Sequence, residues 1–196
     1  MKAALLLVAG LAAGATGQVF YGGGAGGSIP DNGLASGNVF SSTINIADNL
    51  SILDVNVNLS GLAHTWVGDL LITLSHNGTT VAMSDRPGVP ATAAGFSWNL
   101  NGNYNFDDEA ANGTWESVGT QASAFVLPGG DYKSEQALSA FDGMSTAGAW
   151  TLTIADGAGA DLGSLVSWGM TITAVPAPGA FAVLGLGGLV AARRRR

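Results

Sequence analysis

In several stretches between Leu53 and Ile172 the apolar residues recur at every second position, though residues 87–132 are less legible, and no stretch carries them at the spacing of a helical stripe. Leu53, Val55, Val57 and Leu59 alternate with Asp54, Asn56 and Asn58. Leu70, Ile72 and Leu74 alternate with Leu71, Thr73 and Ser75; Asn77-Gly78 then predicts a hairpin turn, with Thr79 to Met83 as the return strand. Trp150, Leu152 and Ile154 alternate with Thr151 and Thr153, and Val166, Trp168, Met170 and Ile172 fall on one face of a last strand. A period of two sends successive side chains to opposite faces, so each strand is half-buried. Shorter strands are expected around Phe96 to Leu100 and Ala124 to Leu127, and a Gly- and Asp-rich loop over Ala155 to Gly163. The pattern predicts an all-β fold, two packed sheets or a barrel. Residues 21–38 are rich in glycine and read as a flexible leader.

The two ends differ from this middle. Lys2, the apolar run Ala3 to Ala13 and the small residues Ala15-Thr16-Gly17 predict a signal helix over 1–17, with the mature chain starting near Gln18. At the other end, Pro176 and Pro178 precede an uncharged apolar stretch, Gly179 to Ala192, and then Arg193, Arg194, Arg195 and Arg196. As a helix rising about 1.5 Å per residue this stretch spans roughly 21 Å, short of the roughly 30 Å hydrocarbon core, so a marginal anchor is expected. The arginines would stay on the cytoplasmic side. Val175-Pro176-Ala177-Pro178, the short span and the arginine cluster together resemble the PEP-CTERM sorting signal of Gram-negative bacteria, with Ala177 where that family has Glu. The resemblance implies transient membrane anchoring, cleavage near the prolines by an exosortase, and a place at the cell surface or in an exopolysaccharide matrix.

Without both ends, the chain keeps only Arg86 and Lys133 against all fourteen acidic residues, a net charge of −12. Such a surface excludes nucleic acid and anionic lipid as partners, both of which need clustered Lys and Arg. It suits divalent cations, or simple solubility. The chain has no cysteine and so no disulfide to stabilise an exported domain.

A second resemblance lies in the middle. His64-Thr65-Trp66-Val67-Gly68-Asp69-Leu70-Leu71-Ile72-Thr73-Leu74 resembles the signature of the P domain, or P/Homo B domain, of subtilisin-like proprotein convertases. Gly148-Ala149-Trp150-Thr151-Leu152-Thr153-Ile154-Ala155-Asp156 and Asp161 to Trp168 resemble its C-terminal part; Phe106 to Ala110 and Leu138 to Gly143 resemble segments between. The resemblance covers residues 44–174, after a Gly-rich leader and first strand region over 18–43 and before the sorting tail over 175–196. It implies a jelly-roll-like antiparallel β-sandwich flanked by the signal helix and a short C-terminal hydrophobic helix. It also implies a non-catalytic role, since in convertases this domain follows the catalytic domain and supports its folding.

An enzyme is not expected. The chain has two histidines, His64 and His76, and no Gly-x-Ser-x-Gly elbow. His64 is expected to hydrogen-bond a loop. Calcium is the cofactor to consider, because it takes several carboxylate and carbonyl oxygens from loops. Asp69, Asp107 and Asp108 are the first candidate ligands, with Glu135 and Asp161 next; turn-forming or solvated acids are the alternative. No EF-hand spacing is present. Trp150 and Trp168 are expected in the core. Trp98 and Trp115 are candidates for stacking on a sugar, against ordinary packing. A surface or matrix β-sandwich is thus expected, with a carbohydrate-binding module or an accessory to a separate protease as alternatives.

Overall fold

A computed structural model describes residues 16–123 and 125–176. Residues 1–15 of the expected signal helix, the apolar span and the arginine cluster lie outside the described residues, as does Pro178; Gly17, expected at the end of the signal, already belongs to the first strand. Ten strands build two sheets: β1 (Gly17–Ile29), β2 (Phe40–Ile46), β3 (Leu50–His64), β4 (Leu70–His76), β5 (Thr79–Asp85), β6 (Asn99–Phe106), β7 (Val126–Leu127), β8 (Gly130–Tyr132), β9 (Gly148–Asp156) and β10 (Gly163–Pro176). One sheet runs β1-β10-β3-β6, with the short β7 and β8 both pairing β6. The other runs β2-β9-β4-β5. All pairings are antiparallel except those of β6 with β7 and β8. The two sheets pack as a sandwich, the jelly-roll-like class expected.

The alternation fills the space between the sheets. Val55, Val57 and Leu59 from β3 and Trp168, Met170 and Ile172 from β10 are buried in one cluster with Leu70, Ile72 and Leu74 from β4 and Trp150, Leu152 and Ile154 from β9. The Asn77-Gly78 turn joins β4 to β5 with both residues at positive φ, 46° and 86°, as a tight hairpin of this kind requires.

Three expectations need correction. Leu53 is not on the buried face. Thr173 opposes Asp54 while Ala174 opposes Ile52, so Leu53 is the extra residue of a bulge and points outward, and Ile52 takes its place in the core. Val166 is likewise exposed, because pairing of β10 with β3 lapses between Ser164 and Ser167 and the inward position passes to Leu165. The glycine-rich leader is also ordered structure: Gly17 to Ile29 form β1, which pairs with β10. Its glycines thin the strand where it crosses large side chains. A methyl group on Gly24 would come within 2.1 Å of the Trp168 ring.

Candidate functional site

The segment from His64 to Asp69 forms a buried polar network with Asp156 at one end of the sandwich. β3 ends at His64, a helical turn over Val67–Asp69 follows, and β4 begins at Leu70. This reversal brings His64 and Asp69 beside Asp156, the last residue of β9. His64 and Asp156 have fully buried side chains, with Nε2 3.2 Å from Asp156 Oδ2. His64 Nδ1 faces the Trp66 backbone, 3.1 Å from its nitrogen and 2.9 Å from its carbonyl oxygen, while Nε2 faces the carboxylate. Asp156 Oδ1 accepts the Ala158 N–H and so holds the start of the β9–β10 loop. Thr65 donates its hydroxyl to Asp161 Oδ1 at 2.7 Å and fixes the other side of that loop.

Asp69 is 2% exposed. Its carboxyl is pushed up to about 6, first by burial and then by the charges of Asp156 and Asp161; His64 and Arg86 pull the other way. Arg86 NH2 stands 3.8 Å from Asp69 Oδ1, and Arg86 Nε donates to the Gly68 carbonyl. Arg86 is one of only two cations between residues 18 and 174, and no motif in the sequence marks it. Its signal is composition alone: the one arginine within residues 18–174, amid fourteen acids.

The five candidate calcium ligands fall in three places. Asp69 and Asp161 belong to the network just described. Asp107 and Asp108 lie where their charges help raise Asp54, after burial; Asp142 is raised by burial and then by Asp54 and Asp108. Both oxygens of Asp108 already accept backbone N–H groups, from Leu138 and Ser139, and Asp107 Oδ1 accepts that of Glu109. Glu135 lines a separate cavity of about 260 Å³ with Asp85 and Glu116. Among the described residues no three His, Cys, Asp or Glu side chains stand close enough to hold an ion together. As placed, the five carboxylates do not fit a common calcium site.

The stacking expectation for Trp98 and Trp115 also needs correction. They are 0% and 2% exposed. The Trp98 ring packs on Phe96, with centroids 6.0 Å apart, and that of Trp115 on Phe106 and Tyr104, at 5.1 and 5.4 Å. Their faces belong to the core and leave none for a sugar. His76 is also packed inside, stacked on Trp150 at 3.8 Å, with its ring nitrogens near the carbonyls of Ala149 and Ser145.

Comparison with known proteins bears on this arrangement. No curated protein matches the chain. Two solved structures are similar to it: the serine protease of Aeromonas sobria, 19% identical with a TM-score of 0.48, and the same protease in complex with the chaperone ORF2, 18% identical with a TM-score of 0.48. The matches cover 82% and 83% of this chain but only 27% and 28% of the protease chains. The chain thus spans little more than a quarter of the solved chains it matches. Residues 117–172, which hold β7 to β9 and most of β10, match the family described as the proprotein convertase P-domain, and it is to that non-catalytic domain that this part of the chain is similar.

Proposed function

We propose that this protein is an exported, non-enzymatic β-sandwich of the P-domain type, acting at the cell surface or in the extracellular matrix by binding rather than by chemistry. The observation that carries this reading is the His64–Asp156 pair. A histidine and carboxylate side by side are the raw material of a catalytic triad. Here the second ring nitrogen is taken up by the Trp66 backbone, where a triad would need a serine hydroxyl. The pair is sealed from solvent, and its partners tie two loops together. The polar residues that resemble the family signature therefore serve the fold.

The similarity of residues 117–172 to a protease accessory domain supports a second reading, folding support given in trans to a separate subtilisin-like protease. In both readings an exosortase-type enzyme processes the tail. Mass spectrometry of the protein recovered from its native cell surface tests the placement. A C-terminus within residues 175–178 is expected, and an intact Arg196 on surface material overturns it. The non-enzymatic reading fails if the purified protein cleaves peptide substrates and His64→Ala removes that activity.

A further inference from the structure

The outer face of the β1-β10-β3-β6 sheet carries amides, hydroxyls and carboxylates beside the exposed Leu53 and Val166, and one aromatic side chain lies on it. Phe20 of β1 is 65% exposed. A single exposed apolar residue is ordinary; the setting of this one is not. A methyl group on Gly22 would come within 2.6 Å of its ring, and one on Gly169 within 2.9 Å. The ring therefore lies down over bare backbone and turns its other side to solvent.

From Gly169 a single row crosses the sheet. Gly169 is paired with Asn58, Asn58 with Asn105, and Asn105 with Asp131. Asn58 Nδ2 donates to Asn105 Oδ1 at 2.7 Å, and Asn105 Nδ2 donates to Asp131 Oδ1 at 3.0 Å. This relay fixes the orientation of both amides. Among the described residues Asn58 Oδ1 and Asp131 Oδ2 accept no further bond from the protein. A groove of about 500 Å³ lies over the Asn58-to-Asp131 part of the row, lined also by Ser60, Asn103, Gly129 and Gly130. With strands about 4.8 Å apart, Gly169 to Asp131 spans roughly 14 Å.

A flat apolar surface followed by a line of oriented donors and acceptors suits a ligand with both characters. Sugar rings have them: a C–H face that packs on an aromatic ring, and hydroxyls that each donate and accept. We propose that this row binds a glycan chain laid across the strands, with one sugar on Phe20 and the hydroxyls of the following ones on Asn58, Asn105 and Asp131. The glycan is neutral, because Asp131 sits in the row and the domain around it is strongly acidic. This deepens the surface or matrix reading, yet binding in vitro and recovery from the native surface are separate measurements, so either can fail alone.

The test is native electrophoresis of the full chain in gels containing dextran, mixed-linkage β-glucan or galactomannan, beside gels containing alginate. Retardation by at least one neutral polysaccharide and none by alginate is expected. Phe20→Ala and Asn105→Ala should each weaken it at least about tenfold. Leu162→Ala, which removes an exposed side chain from the β9–β10 loop, should leave it unchanged. No retardation by any neutral polysaccharide, or retardation indifferent to Phe20→Ala, overturns the proposal. So does a dimer in sedimentation that Phe20→Ala dissolves without any polysaccharide effect, because the face would then belong to a second copy of the chain. Urea denaturation of each variant shows whether it has kept its fold.

Discussion

His64 Nε2 stands 3.2 Å from Asp156 Oδ2, with both side chains sealed from solvent. One residue ends β3 and the other ends β9, so this contact joins the two sheets at one end of the sandwich. Removing one partner strands the other in the interior. His64→Ala is expected to cost about 3–5 kcal/mol, and Asp156→Ala a similar amount. Urea denaturation followed by tryptophan fluorescence measures it. A loss below about 1 kcal/mol for both would mean that the pair does not hold the loops.

Asp69 gives the fold a pH dependence of defined sign. Its carboxyl titrates near 3.8 in the unfolded chain and at about 6 in the folded one. The folded state therefore holds the proton more tightly. The stability this contributes is fully present below about pH 3.8 and is lost as pH rises through about 6. A gap of about two pH units corresponds to roughly 3 kcal/mol. Asp54 and Asp142, both raised first by burial, act in the same direction. The urea midpoint should be higher at pH 5 than at pH 7.5, and Asp69→Asn should flatten that difference. An unchanged slope in the variant would remove Asp69 from the account.

Trp98 and Trp115 are core residues, so truncating either to Ala should cost about 3–5 kcal/mol. Their fluorescence should be poorly quenched by acrylamide in the folded protein, and polysaccharide should leave it unchanged. Quenching of either tryptophan by added glycan would restore the stacking role that their burial denies them.

Calcium is a further check. Because the five candidate carboxylates stand in three places, the melting temperature should agree to within about a degree in calcium and in chelator. A rise of several degrees with calcium would show that the loops regroup around an ion.

The core of the sandwich was legible in the sequence because period-two alternation is a direct consequence of strand geometry. It failed where the backbone breaks period. At Leu53 and Val166 a bulge and a lapse in pairing shift the inward face by one residue, and neither leaves a mark in composition. β1 was missed for a different reason. Its glycines carry no side-chain pattern, and what makes them strand residues is Trp168 and Phe40 packed beneath them, which is tertiary information. The sites were less legible than the fold. His64 was correctly expected to bond a loop, but its partner Asp156 lies 92 positions away. The setting of Phe20 is not legible in sequence because Gly22 and Gly169, which lie under its ring, come from opposite ends of the chain.

The pairing of β10 has a mechanical consequence. This strand lies between β1 and β3, and Pro176 at its end is still in register with Leu50. A pull on the chain beyond Pro176 is therefore delivered to an interior strand. Directed along that strand, the load is shared by hydrogen-bond ladders on both sides at once, so they must slide together before any one opens. A domain tethered at this point would resist drag as a rivet does, in shear, and would keep its opposite face presented to whatever it holds.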